Sequence, residues 1–233
     1  FKVREKATDK IYAAKINLRL LADCQYIFID NLSREINILS KLNNPSILKF
    51  IGYSQNNFSN KEKPTIITEF SENSSLEDII ELQNRGLSPK EWNDTKILIV
   101  IYGIASGMAY LHSKNIIHRD LKPANIFFNE YLFPKIGDFG LSKELNDESQ
   151  FDYNNLIGTP AFMSPEIFDS FTYSKAGDVY AFAILLYQMI TLNKPFKGLT
   201  FLQLVRAVHS GIRPEFDFNV PNCYQKLIRK CWL

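Results

Sequence analysis

Two short polar motifs constrain the fold of this chain more than any other feature of its sequence. The first runs from His118 to Asn125 and reads His-Arg-Asp-Leu-Lys-Pro-Ala-Asn, and the second, Asp138-Phe139-Gly140, begins thirteen residues later. Together they place two carboxylates, an amide and a lysine at fixed intervals around a predicted strand turn. Such groups can hold a divalent metal on a phosphate and accept a proton from an attacking hydroxyl. The chain must therefore fold so that these two segments meet.

The bulk composition sets the size of the fold and argues against several classes of partner. With 233 residues, 45% of them hydrophobic and 22% charged, the chain is long enough for one large domain or two lobes. A formal net charge of +2 gives no sign-driven attraction to nucleic acid or to an anionic membrane. The three cysteines are far apart and form no CxxC pair, which indicates neither zinc nor a disulfide framework. We therefore expect reduced thiols in a cytoplasmic protein, and no nucleic-acid partner.

The most apolar stretch, residues 97–111, is expected to be a buried helix. It is interrupted by Gly103, Ser106 and Gly107, and it is shorter than the roughly 18 apolar residues that a membrane span requires. No signal peptide is visible in the sequence. We expect no insertion into a membrane.

The order of the predicted elements indicates an α+β fold with two unequal lobes. Apolar residues recur at helical spacing from Leu32 to Leu42, a helix that Asn31 or Ser33 could cap, and that Pro45 stops. After residue 71 the pattern becomes mostly helical. We expect a small, mainly β lobe with one helix in residues 1–70, a larger, mainly α lobe in residues 71–233, and a cleft between them. The elements within them are strands near 10–17, 48–53 and 65–70, and helices near 94–113, 178–192, 201–210 and from about 224.

The residues of the two motifs can be assigned chemical roles. Asp120 is the candidate base, which would orient a hydroxyl and take its proton. Asn125 and Asp138 offer the hard oxygen ligands that Mg²⁺ prefers. Lys122 is a cation beside the base that can neutralise charge on a transferring phosphoryl group. Alone, Asp120 and Asp138 could be turn-capping residues of exposed loops, but their combination at this spacing favours the catalytic interpretation.

A lysine on a predicted strand suggests a second charged pair. Lys15 lies in Tyr-Ala-Ala-Lys-Ile, and an inward-facing lysine on a short apolar strand is costly unless it is paired. Glu35, twenty residues further on the amphipathic helix, is the expected partner. The alternatives are a lysine on the solvent side of an edge strand and a glutamate on a solvated helix face.

These motifs together resemble the protein kinase catalytic domain, and the resemblance extends over essentially the whole chain. It implies the two-lobed kinase fold, ATP and Mg²⁺ as cofactors, and transfer of the γ-phosphoryl group to a protein substrate. Lys122 in Asp-Leu-Lys-Pro-x-Asn is similar to serine/threonine kinases, and other segments are most similar to the tyrosine-kinase-like group. The oligomeric state cannot be predicted.

The resemblance also implies the residues that contact ATP. Lys15 and Glu35 would position the α- and β-phosphates, and Ala13 and Phe127 would enclose the adenine ring. Thr68 stands at the gatekeeper position, with the hinge in the residues after it, Glu69 and Phe70.

Other matching positions imply structural and regulatory roles. By resemblance, His118 packs beneath Phe139, Asp178 holds the backbone of the catalytic loop, and Thr159 contacts Asp120 and Lys122 rather than accepting phosphate. Arg119, next to the base, suggests control by a phosphate on the loop between Leu141 and Met163, with Ser149 as the candidate site.

The sequence departs from the family pattern at its two ends. Phe1-Lys2-Val3 resembles the strand after the glycine-rich loop, but the loop itself is absent from the sequence. The region that normally supplies an arginine partner for Glu166 is absent too. From this we expect that residues 1–233 alone bind ATP weakly and are marginally stable.

Two rival functions remain open at this point. One is a pseudokinase, a binding module with the fold but no turnover; the retained Lys15, Asp120 and Asp138 argue against it. The other is a kinase that acts on tyrosine or a small molecule; Lys122 and the segment Gly158-Thr159-Pro160 argue against both variants.

Overall fold

The N-terminal part of the chain forms a four-stranded antiparallel sheet with one helix. The computed structural model describes residues 1–16, 25–61, 63–145, 156–217 and 219–233. The sheet has the order β1-β2-β4-β3, and its register places Ala13 opposite Thr68 and Lys15 opposite Ile66. Its elements are β1 (Lys2–Arg4), β2 (Ile11–Ile16), the helix α1 (Gln25–Lys41), β3 (Phe50–Ser54) and β4 (Thr65–Glu69).

Helix α1 begins earlier than the sequence pattern predicted. It starts at Gln25 rather than near Leu32, so neither Asn31 nor Ser33 can be its N-cap, and that prediction was wrong. The stretch from 25 to 31 contains no glycine or proline to end a helix. The predicted apolar face is nevertheless correct, because Leu39 is buried in the core and Glu35 on the same helix is only 7% exposed.

The remainder of the chain is mainly helical, with short strands at the face toward the sheet. Residues 116–117 pair with residues 143–144, and residues 126–128 pair with residues 134–136. The predicted α+β architecture is confirmed, whereas the boundary after residue 70 stays a prediction. The elements are α2 (Leu76–Asn84), α3 (Asp94–Ser113), β5 (Ile116–Ile117), β6 (Ile126–Phe128), β7 (Pro134–Ile136), β8 (Lys143–Glu144), α4 (Pro165–Ser170), α5 (Lys175–Thr191), α6 (Phe201–His209) and α7 (Asn222–Cys231).

Helices α3 and α5 form the centre of this helical part. Helix α5 is buried almost all round, as its apolar sequence predicted. Helix α3 is long and apolar enough to cross a membrane by length and composition alone, but its buried face, which includes Val100, Ile104 and Leu111, belongs to the common core. Gly103 allows the close approach of β7, since a Cβ there would lie 2.5 Å from Cγ of Pro134. The need for this close contact explains why the apolar stretch contains a glycine. The stretch itself is a helix of the core.

Candidate active site

A buried aspartate holds the loop that follows β5. The Asp178 carboxylate, 4% exposed, accepts hydrogen bonds from the backbone N–H of His118 at 2.8 Å and of Arg119 at 3.0 Å. Its Oδ2 also lies 2.9 Å from Nε2 of His112. Arg119 has a left-handed φ of 67°, which is unusual for a residue with a side chain. This network therefore fixes a strained backbone directly before Asp120 and confirms the predicted role of Asp178.

Asp120 stands at the centre of a polar cluster. Its Oδ2 lies 2.8 Å from Nζ of Lys122 and accepts a hydrogen bond from Nδ2 of Asn125 at 3.1 Å. Its Oδ1 accepts a hydrogen bond from the Thr159 hydroxyl at 2.7 Å, and Lys122 donates to the same hydroxyl at 2.8 Å. The predicted contacts of Thr159 are confirmed. The structure thus brings together Asp120, Lys122 and Asn125, as the sequence predicted.

Gly158 allows the segment with Thr159 to reach this cluster. Its φ is +113°, and a Cβ at this position would lie 2.7 Å from the carbonyl oxygen of Arg119. Since no other residue fits both the torsion angle and the space, the glycine is a structural requirement for the contact between Thr159 and Asp120.

The second motif is anchored by aromatic packing. The Phe139 ring is buried and lies 5.2 Å from the His118 ring in an edge-on arrangement, as predicted. Nε2 of His118 lies 3.0 Å from the carbonyl oxygen of Gly137. Asp138, which lies between Gly137 and Phe139 in the sequence, has a left-handed φ of 58°. Burial of Phe139 in this way turns the Asp138 carboxylate toward the sheet.

Lys15 links the sheet, helix α1 and the second motif. Its Nζ lies 2.8 Å from Oε1 of Glu35 and 2.7 Å from Oδ1 of Asp138. Glu35 is nearly buried, while the side chains of Lys15 and Asp138 are 52% and 45% exposed. We call Lys15, Glu35 and Asp138 the cleft cluster. The predicted pairing of Lys15 with Glu35 is confirmed.

Burial and mutual attraction shift the pKa values of all three groups. Burial raises the pKa of Glu35, and the opposing charge of Lys15 does not fully offset it. For Asp138, burial is outweighed by the charge and hydrogen bond of Lys15, which lower its pKa with help from His118 and the Gly140 N–H. For Lys15, burial is outweighed by the two carboxylates, which raise its pKa. The lysine therefore keeps its charge in the folded protein.

A cavity of about 580 Å³ opens between the sheet and the helical part. That volume is within the range of sites for small ligands. Phe70 lines the cavity, and the Lys2 ammonium lies 4.8 Å from the centroid of the Phe70 ring. Every residue that the sequence analysis assigned to cofactor binding lines this cavity: Ala13, Lys15, Glu35, Thr68, Glu69, Phe70, Phe127 and Asp138.

The Glu69 side chain is directed to a neighbouring lysine and a backbone amide. Its Oε1 lies 2.8 Å from Nζ of Lys135 and accepts a hydrogen bond from the backbone N–H of Lys49 at 2.8 Å. These contacts hold the end of β4 against β7. The contribution of Glu69 to a ligand would thus come from its backbone.

Three polar residues of the cavity wall were not predicted from the sequence. Ser71, Ser75 and Asp78 line the cavity, and the Ser71 hydroxyl is buried without a hydrogen-bond partner. Ser75 and Asp78 form the capping box that starts α2. The pattern Ser-x-x-Asp was a usable signal for this helix start, but nothing in the sequence indicated that it borders the cavity.

The donor set around Asp138 fits Mg²⁺ better than a metal that needs a full protein cage. The described residues contain no group of three or more His, Cys, Asp or Glu side chains that could hold an ion. The amide nitrogen of Asn125 is engaged with the backbone oxygen of Asp120 at 2.8 Å, so its carbonyl oxygen is the atom that could bind metal. Mg²⁺ is commonly bound by one or two such oxygens together with phosphates and water.

The segment after Asp138 is only partly described. Arg119 donates through Nε to the carbonyl oxygen of Leu141, and its guanidinium lies 5.2 Å from the ring centroid of Tyr173. Strand β8 pairs with β5 through Glu144 and Ile116. The candidate phosphorylation site Ser149 lies outside the described residues, and its role stays a prediction.

Comparison with known proteins identifies the family. The model of the protein kinase domain matches residues 1–232, so the chain belongs to the protein kinase domain family. It is 35% identical over 204 residues to a mimivirus protein (Acanthamoeba polyphaga mimivirus) named "Putative serine/threonine-protein kinase/receptor", covering 86% of this chain and 12% of that protein.

Two proteins of Dictyostelium discoideum are similar at comparable levels. The "RGS domain-containing serine/threonine-protein kinase A" is 32% identical over 209 residues, covering 90% of this chain and 18% of that protein. The "Probable serine/threonine-protein kinase drkD" is 30% identical over 230 residues, covering 98% and 16%. The chain therefore spans less than a fifth of the length of these relatives.

Proposed function

We propose that this chain is the catalytic domain of an ATP-dependent protein kinase that phosphorylates serine and threonine in intracellular signalling. The observation that carries the proposal is the position of the buried Asp120 carboxylate, 2.8 Å from the Lys122 ammonium. Membership of the kinase family and the names of its relatives support it. Retention of Lys15, Asp120 and Asp138 favours a catalyst over a pseudokinase.

The hydrogen bonds of Asp120 leave room for one more donor. A carboxylate oxygen can accept about two hydrogen bonds. Oδ2 is used by Lys122 and Asn125, and among the residues that the structure describes only Thr159 uses Oδ1. A substrate hydroxyl can therefore donate to Oδ1, which orients its oxygen for in-line attack and takes its proton.

The remaining residues would bind and orient the nucleotide. Lys15, held by Glu35, would contact the phosphates. Asn125 and Asp138 would hold Mg²⁺, which would supply charge neutralisation on the phosphates. Lys122 would stabilise charge on the transferring phosphoryl group. Ala13 and Phe127 would enclose the adenine, with the backbone of residues 68–70 along its edge.

Further parts of the proposal rest on the sequence. We assign the chain to the tyrosine-kinase-like group because of Tyr-Ala-Ala-Lys at 12–15, Thr-Glu-Phe at 68–70, the Asp-Val-Tyr-Ala-Phe segment and Cys231-Trp232. We place the protein in the cytoplasm, where widely spaced cysteines stay reduced.

The substitution Asp120→Asn tests the function. It keeps the shape of the side chain but removes the proton acceptor, so we expect phosphate transfer from MgATP to fall by about 10²- to 10⁴-fold. ATP affinity should stay unchanged, because Asp120 does not line the nucleotide cavity. Asp169→Asn on the exposed side of α4 is the matched control and should keep full activity.

The outcomes separate the competing functions. Labelled phosphoserine or phosphothreonine that disappears with Asp120→Asn supports the proposal. Labelled phosphotyrosine would contradict the assigned substrate class. ATP binding without transfer by the unaltered protein, after activation has been attempted, would favour a binding module.

A further inference from the structure

A second groove borders the polar cluster around Asp120. Its volume is about 320 Å³, and Lys122 and Thr159 form one end of its wall. Both residues contact Asp120 directly, at 2.8 Å and 2.7 Å. A chain whose hydroxyl donates to Asp120 would therefore run into this groove within roughly two or three extended residues, at about 3.5 Å each.

The deep wall of the groove carries an unpaired amide. Gln188 on α5 lines the groove and is only 5% exposed. No hydrogen bond joins its side-chain amide to another described residue, and the amide atoms are not fully buried. The amide is therefore open to the groove, where a ligand can supply a hydrogen-bond partner.

The charges around the groove nearly cancel. Lys122 is offset by Asp120. Glu77 on α2 and Lys194 after α5 also line the groove and have opposite signs, and neither forms an ion pair with the described residues. A neutral side chain can consequently enter without an uncompensated charge, whereas a lysine or arginine would add a second cation beside Lys194 for the one carboxylate of Glu77.

We propose that this groove binds a neutral amide side chain, asparagine or glutamine, of the protein substrate, and that Gln188 determines this preference. The inference rests on the proposed function and adds a substrate feature to it. An amide carries both a donor and an acceptor, so the substrate amide and the Gln188 amide can bond to each other in the groove. The occupied position lies within about three residues of the phosphorylated hydroxyl.

The test uses serine peptides that carry Gln, Asn, Ala, Asp or Arg in turn at each of three positions on either side of the acceptor. Transfer rates with MgATP and peptide affinities are measured on the intact protein. The unaltered protein should prefer Gln or Asn over Ala at one position by about 3- to 10-fold, the usual effect of one neutral hydrogen bond.

Two substitutions of Gln188 give opposite results if the inference is correct. Gln188→Met keeps the volume but removes the amide, so the preference should vanish. Gln188→Glu places a carboxylate in the groove, so the preference should change to Arg by about tenfold. Gln203→Glu is the matched control: Gln203 belongs to the capping box of α6, where glutamate is equally suitable, and the profile should stay unchanged.

The failure of the inference can be told apart from failure of the proposed function. Unchanged peptide profiles in both Gln188 variants would overturn the inference and leave the kinase function standing. If no peptide is phosphorylated, the proposed function fails. The measured peptide affinities then show whether the groove prefers an amide side chain. Equal affinities for the Gln and Ala peptides would overturn the inference. Melting temperatures of each variant verify folding, and Gln188→Met serves if the glutamate variant does not fold.

Discussion

The two charged clusters of this domain are built in different ways. Around Asp178, a buried carboxylate is bonded to the backbone of its own helical part and to His112. In the cleft cluster, Lys15 joins a strand, a helix and a loop, and half of its side chain is exposed. The first arrangement fixes one backbone conformation, whereas the second leaves charges accessible to a ligand. A rigid support for the base is thus combined with an open site for phosphates.

The largest effect should come from removing the buried anchor. Asp178→Ala would leave the N–H groups of His118 and Arg119 without an acceptor in the core, at about 1–3 kcal/mol for each. We expect a loss of about 3 kcal/mol or more in the free energy of unfolding, which corresponds to a fall in the melting temperature of roughly 6–12 °C. Activity should fall as well, because the strained turn before Asp120 would relax.

The matched control for this prediction is Asp169→Ala. The Asp169 side chain is 52% exposed, and its Oδ1 lies 3.1 Å from Nδ1 of His209, which is 61% exposed, so the melting temperature should change by no more than about 1–2 °C. Similar losses for both variants in urea and thermal unfolding would show that Asp178 is not a special anchor.

The second largest effect should come from removing the Lys15 cation, and it concerns the rate of phosphate transfer rather than stability. Lys15→Met keeps most of the side chain but removes the cation that would contact the phosphates. We expect transfer of phosphate to fall by about 10²-fold or more, in line with the loss of one electrostatic contact in a catalytic site. Lys61→Met in the loop between β3 and β4 is the control. Full activity of Lys15→Met would exclude the cleft cluster from catalysis.

The sequence predicted the site residues that belong to a recognisable motif. It did not predict those whose role depends on their surroundings in the fold. Asp120, Asn125 and Asp138 lie in contiguous motifs, and the pair of Lys15 with Glu35 follows from the cost of an unpaired inward lysine. Gln188 could not be identified, because its α5 sequence indicates only burial. Its open amide results from the packing of distant segments.

The same distinction applies to the fold. Helices α3 and α5 are long and apolar and were predicted closely, whereas β5 and β8 have two residues each, too few to show a pattern. Their pairing depends on the position of the whole segment after Asp138.

Within the cleft cluster, the two carboxylates should respond to pH in opposite directions. The pKa of Asp138 is lowered below its ordinary 3.8 in the folded protein. Its contribution to stability is therefore present above pH 3.8 and is lost as the pH falls through the lowered value. The pKa of Glu35 is raised above its ordinary 4.5, so its contribution is present below pH 4.5 and is lost as the pH rises through the raised value.

Urea unfolding between pH 3 and pH 7 checks both signs. The stability difference between the unaltered protein and Asp138→Asn should shrink as the pH falls below about 4. Relative to Glu35→Gln, the unaltered protein should lose stability as the pH rises above about 4.5. Parallel curves for both variants would mean that Lys15 affects the two carboxylates alike, and the contrast within the cluster would be wrong.

The smallest effect is expected for an ion pair that lies outside both clusters. Nζ of Lys41 at the end of α1 lies 2.7 Å from Oε1 of Glu144 on β8, and the two side chains are 50% and 24% exposed. Exposed pairs of this kind contribute about 0–1 kcal/mol. Lys41→Met should therefore lower the free energy of unfolding by less than about 1 kcal/mol, and by less still at high salt.

This pair nevertheless sharpens the comparison, because it connects helix α1 to the same segment that follows Asp138. If it only adds surface stability, Lys41→Met and Glu144→Gln should leave the transfer rate unchanged. A fall in the rate of tenfold or more in both variants, without a change in the melting temperature, would contradict this. It would mean that the position of α1, and with it the contact of Glu35 with Lys15, depends on the segment after Asp138. The cleft cluster would then be stabilised by contacts outside the cleft.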